Sequence, residues 1–237
     1  MKNEKKNRPD CIRRGTTSLV LTLIFLIALS QLSSAGSNEK KYSDIFKAVE
    51  ANDYKAVEAM VNRTPSLVNT ENDLMQTPLH YAASKGYLEI AKLLISKGSQ
   101  VNARDDNGWT PLHWTAQNSL LEMAKLLISK GADVNAKDII GHTPLLTAAI
   151  DATDSDGHYA FAQLLISKGA DVNMKSADGT TPLLAAISSG NKKLATFLIS
   201  KGANVNAKGM NGDTPLKVAK KRDYKEIVEL LKRQGAH

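Results

Sequence analysis

The chain has 237 residues, of which 42% are hydrophobic and 23% charged, with a formal net charge of +7 and a single cysteine, Cys11. One thiol excludes a disulfide framework, so any exported form must be stable through burial alone. Of the 31 basic and 24 acidic residues, six and two lie in the first 35, so the remainder holds 25 and 22, a net +3. With no basic face interleaved with aromatics and no reading motif, that balance gives no reason to expect nucleic-acid binding.

Residues 1–15 are polar and basic, with Lys2, Lys5, Lys6, Arg8, Arg13 and Arg14 set against Glu4 and Asp10. An apolar run from Leu19 to Leu29 follows, interrupted by Thr22, and then Ser33-Ser34-Ala35-Gly36. Basic, apolar, then small residues is the pattern of a secretory signal peptide, and the run falls short of the ~20 residues a membrane-spanning helix needs. The expectation is cleavage after Ala35, giving a leader 1–35, a short linker 36–41 and a periplasmic or secreted protein. The alternative is an uncleaved inner-membrane anchor, with the rest outside the cytoplasm.

From residue 42 onward the chain repeats. Thr77-Pro78-Leu79-His80 is followed by Thr110-Pro111-Leu112-His113, Thr143-Pro144-Leu145-Leu146, Thr181-Pro182-Leu183-Leu184 and Thr214-Pro215-Leu216-Lys217, at steps of 33, 33, 38 and 33. A second motif keeps phase with the first: Lys97-Gly98-Ser99-Gln100-Val101-Asn102, then 130–135, 168–173 and 201–206, the last three reading Lys-Gly-Ala-(Asp/Asn)-Val-Asn. Thr before Pro marks a helix start, because the Thr oxygen caps a free N–H and Pro gives up a donor that had no partner. Alanine pairs such as Ala82-Ala83, Ala148-Ala149 and Ala185-Ala186 let neighbouring helices approach closely. Each second helix carries an apolar stripe at i, i+3, i+4: Ile90/Leu93/Leu94, Met123/Leu126/Leu127, Phe161/Leu164/Leu165, Leu194/Phe197/Leu198 and Ile227/Leu230/Leu231. Gly98, Gly131, Gly169, Gly202 and Gly235 follow these stripes, where a left-handed residue ends a helix. Gly108, Gly141, Gly179 and Gly212 stand at the next turn, and Met75 replaces Gly in the first full unit, where a distorted turn is expected.

With a period of 33 and T-P-L-H-x-A, residues 42–237 resemble the ankyrin-repeat family. The resemblance implies an all-α solenoid of helix-turn-helix units joined by β-turn or hairpin loops, with units of about 42–71, 72–104, 105–137, 138–175, 176–208 and 209–237. No single unit can bury its own stripe, so the terminal units serve as caps. Asp44-Ile45-Phe46-Lys47 stands in the place of Thr-Pro-Leu-His in the first, and Lys217, Lys220, Lys221, Arg222, Lys232 and Arg233 make the last one charged. The local basic excess from Lys208 onward reads as a solvated cap rather than an anionic docking patch.

Chemistry finds no foothold. The resemblance implies that His80 and His113 pack beneath the turn and bond the motif Thr, and no ligand set lies at metal spacing from either. The step of 38 places five extra residues within 151–158, where Asp154-x-Asp156-Gly157 resembles part of a calcium loop, but Ala152 and Gln163 occupy the first and closing ligand positions. His158 there has no pocket to tune it. No nucleophile, phosphate-binding loop, catalytic residue, metal or cofactor is expected, nor a small-molecule substrate.

The resemblance instead implies protein binding through a concave face, by a monomer. The positions least fixed by folding read Asp73/Leu74/Gln76, Asp106/Asn107/Trp109, Ile139/Ile140/His142, Ala177/Asp178/Thr180 and Met210/Asn211/Asp213, joined by Tyr81, Trp114, Gln117 and Asn118 on the helices. Large apolar residues at exposed positions, ringed by polar ones, are what interface anchors look like, so Leu74, Trp109, Ile139, Ile140 and Met210 lead. The expected function is a non-enzymatic exported scaffold or adaptor. The alternatives are an inhibitor or immunity protein that occludes a toxin or enzyme, and an accessory factor for a periplasmic enzyme such as a catalase.

Overall fold

The computed structural model describes residues 44–150 and 156–237. The leader, the linker and residues 151–155 of the insertion lie outside the described residues, as does the side chain of Asn211. Twelve α-helices are described, in six pairs. They are α1 (Ile45–Glu50) and α2 (Tyr54–Arg63), α3 (Pro78–Lys85) and α4 (Leu88–Ser96), α5 (Pro111–Gln117) and α6 (Leu121–Ser129). The second half holds α7 (Pro144–Ile150) and α8 (Asp156–Ser167), α9 (Pro182–Ser189) and α10 (Lys192–Ser200), α11 (Pro215–Lys221) and α12 (Lys225–Arg233). First helices pack on first helices and second on second, giving an inner and an outer row.

Each motif helix starts with Pro at its first turn, but the capping differs between units. In the last three units the Thr oxygen accepts the backbone N–H three residues on: Leu146 to Thr143 at 3.2 Å, Leu184 to Thr181 at 3.3 Å and Lys217 to Thr214 at 3.3 Å. Where histidine is present, the Thr side chain turns to the ring. His80 Nδ1 accepts from the Thr77 N–H at 3.0 Å and from its hydroxyl at 2.9 Å, and His113 does the same for Thr110 at 3.1 and 2.9 Å. An acceptor Nδ1 places the proton of the neutral ring on Nε2, which donates to the carbonyl of the next unit, Trp109 for His80 and His142 for His113, both at 3.1 Å.

The alanine pairs are buried at the inner row, and the ends of each outer stripe are buried too, Ile90 and Leu94, Met123 and Leu127, Phe161 and Leu165, Leu194 and Leu198, Ile227 and Leu231. The middle member differs: Leu126, Leu164, Phe197 and Leu230 are only partly buried, because the outer row is open on its far side. The five helix-ending glycines all have positive φ, between 83° and 94°.

The second motif has a role its composition did not reveal. Asn102 donates through Nδ2 to the Gly131 carbonyl at 2.9 Å and accepts the Asp133 N–H at 2.9 Å, thereby stapling one unit to the next. Asn69, Asn135 and Asn173 repeat the arrangement onto Gly98, Gly169 and Gly202. Asn206 closes the series on the Gly235 carbonyl and the N–H of the last residue, His237, both at 3.1 Å. A side-chain amide donates to a backbone carbonyl and accepts a backbone N–H together, which an ionised Asp, an acceptor only, cannot do.

Candidate protein-binding surface

Between units the chain makes tight tips at 72–76, 105–109, 138–142, 176–180 and 209–213. Each is closed by the first residue's N–H bonding the fifth residue's carbonyl at 2.9–3.0 Å. In the first three tips the first residue's side chain then organises the turn. Asp105 Oδ1 accepts the N–H groups of Asn107 and Trp109 at 3.0 and 2.8 Å, and Asp138 Oδ1 those of Ile140 and His142 at 3.0 and 2.7 Å. Asn72 does the same for Leu74 and Gln76. Asp105 and Asp138 are buried, at 4% and 7% exposure, and are held there by these bonds and an indole each: Trp114 Nε1 reaches Asp105 at 3.1 Å and Trp109 Nε1 reaches Asp138 at 3.0 Å.

Successive tips are also joined to each other. The Asp106 N–H bonds Leu74 O at 3.0 Å, Ile139 bonds Asn107 O at 3.0 Å and Ala177 bonds Ile140 O at 2.8 Å. The tips at 176–180 and 209–213 also approach closely, leaving no room for a side chain at Gly179, where a Cβ would lie 2.8 Å from the Lys208 carbonyl oxygen. Met75 was expected to distort its turn. It instead takes the left-handed conformation itself, at φ 56°, and keeps the tip's bonds, with its N–H 2.9 Å from Asn72 O.

Seven large hydrophobic side chains are exposed among the described residues, and five of them are at the tips: Leu74 at 51%, Met75 at 48%, Ile139 at 67%, Ile140 at 51% and Met210 at 58%. Trp109 departs from expectation. It is half-buried, edge-on to Trp114 with centroids 5.0 Å apart and stacked beside His113, so its ring belongs largely to the scaffold. Asn107, Trp109, Trp114, Gln117, Asp138, Ile139 and Ile140 line one hollow of about 390 Å³. Gln76, Tyr81 and Trp114 share another of about 210 Å³ with Glu50, His80 and Lys85.

The remaining candidates spread along the same row. Asp73, Asp106, Asn107, Gln117, Asn118 and Asp178 are exposed, and Gln76, Tyr81, Trp114, His142, Thr180 and Asp213 are half-buried. Tyr81 accepts from Asn72 Nδ2 at 3.1 Å and packs on Phe46, while Asn118 bonds the Ser84 and Trp114 carbonyls. The Asp178 carboxyl is held below the usual range, first by the Ser176 hydroxyl and then by the Thr180 N–H, and Asp213 by its bond to Lys217 at 2.6 Å. Burial pushes His80 and His113 below the ordinary histidine range. Met75 and Ile150, the latter 39% exposed at the end of α7, were not singled out from sequence. Met75 was legible only as a missing glycine.

Among the described residues no group of three or more His, Cys, Asp or Glu is placed to hold a metal ion. A family model described as ankyrin repeats (3 copies) matches residues 45–138 and again 146–237. No curated protein matches the chain.

Proposed function

Because the chain belongs to the ankyrin-repeat family, whose repeats are generally protein–protein interaction modules and typically non-enzymatic, we propose that it is an exported, monomeric binding protein that docks another protein on its row of tips. The concentration of exposed apolar side chains at the tips supports the reading: Leu74, Met75, Ile139, Ile140 and Met210 have no packing reason to face water. The tips are fixed by backbone bonds, so little ordering entropy opposes docking. On this reading Ile139 and Ile140 are the central anchors, beside the hollow floored by Trp109 and Trp114, while the indoles shape the site. The leader directs the chain to the periplasm and is removed after Ala35.

The test is crosslinking capture from the exported fraction with the native protein and an Ile139→Ser/Ile140→Ser variant of unchanged helicity. Partners held by the native protein should fall at least tenfold with the variant. Equal recovery would remove the tips as the binding surface. Intact mass should begin at Gly36, whereas a full-length chain in the membrane fraction would favour the anchored form.

A further inference from the structure

The outer row holds a second surface of different chemistry. Among the described residues, 192–237 carry eleven basic and four acidic residues, whereas 44–150 and 156–191 carry twelve and fifteen. A linear stack turns this division of the sequence into a division in space, with net +7 at one end and −3 along the rest. In the basic part, α8, α10 and α12 enclose a groove of about 600 Å³ lined by Tyr159, Lys192, Lys193, Phe197, Leu230 and Arg233 among others. Its floor is Phe197 and Leu230, two of the four stripe members that the open outer row leaves partly buried, with Tyr159 set edge-on to Phe197 at 5.4 Å.

We propose that this groove binds an acidic peptide segment of a partner protein, with an apolar side chain on Phe197 and Leu230 and carboxylates on Lys192, Lys193 and Arg233. Lys193 on the groove wall already engages an exposed carboxylate of this chain, with Nζ 2.5 Å from Asp156 Oδ1 while lying 4.4 Å from the Tyr159 ring centroid. An incoming carboxylate would exchange with the exposed Asp156 on this cation, which the aromatic ring holds in place without neutralising it. Nucleic acid fits less well. Lys193 covers Tyr159 and Lys201 lies 5.5 Å from the Phe197 centroid, so neither ring offers a planar base an open stacking face. The surface is separate from the tips, none of whose residues lines it.

Panning a random dodecapeptide display library against the exported protein tests this. Enriched peptides should pair Asp or Glu with an aromatic or aliphatic residue, bind a Lys193→Glu/Arg233→Glu variant at least tenfold more weakly, and bind the Ile139→Ser/Ile140→Ser variant unchanged. A milder Lys192→Gln/Lys193→Gln variant, checked for native helicity, should weaken them several-fold. Absence of enrichment, enrichment without acidic residues, or indifference to both charge variants would overturn the proposal. So would a single-stranded thymidine 20-mer that outcompetes the best peptide and shows the same sensitivity.

Discussion

Met75 illustrates how a single residue can work against the stability of its own fold. A non-glycine residue in the left-handed region costs roughly 1–2 kcal/mol, and the other tips avoid this with glycine. Met75→Gly should therefore stabilise the fold by about 0.5–1 kcal/mol once the greater freedom of glycine in the unfolded chain is subtracted, read as a higher urea midpoint. It should also weaken partner capture if the methionine side chain is an anchor. An unchanged or lower midpoint would mean that the Met75 side chain makes up the strain locally. His80 and His113 give a different signature. Burial holds both below the usual range in the folded chain, so the unfolded chain takes up protons first as pH falls. Their contribution is complete above pH about 6.5 and declines below it, toward the folded values. Urea midpoints measured from pH 7.5 to 5 should drop below 6.5, and a His80→Leu/His113→Leu variant, which copies the leucines at 146 and 184, should show a shallower drop.

Between elements, the asparagine staples make a stronger claim than their exposure suggests. Asn102→Ala removes one donated and one accepted bond to the next unit's backbone and should cost about 1 kcal/mol. Loss of protection should appear in hydrogen exchange at 131–133 before it appears elsewhere. The helix pairs and their boundaries were legible because Thr-Pro, the i, i+3, i+4 stripes and the closing glycines are local signals that act within one turn of helix. The staples were not, although Val-Asn was visible in the first five units, because each bond spans 29 to 36 residues and its partners are backbone atoms that leave no mark in the side-chain pattern. Trp109 was misread for a related reason. Its exposure depends on Asp138 in the following tip, and a repeat alignment shows that an aspartate is there without showing that its second oxygen faces back toward the indole. Tip positions were readable as a row, whereas which tip side chains stand exposed and which pack into the scaffold is set by contacts between units.

At the scale of the whole molecule, stability in a stack is a sum of units and their interfaces, so an end should loosen without its centre. The last staple depends on the final three residues, since Asn206 bonds Gly235 and His237. Deleting 235–237 should lower amide protection in α11 and α12 by about tenfold while leaving α3 to α6 unchanged, as followed by hydrogen exchange. A uniform loss would show that the six units melt as one body. The bonds that run from Leu74 to Asp106, Asn107 to Ile139 and Ile140 to Ala177 carry a mechanical corollary. Tips tied to one another by backbone behave as links of a chain under tension rather than as separate fingers. A load applied at Ile139 and Ile140 is shared with the tips on either side, so the row flexes as a beam whose stiffness, more than the shape of any one tip, sets how far a docked surface can depart from it.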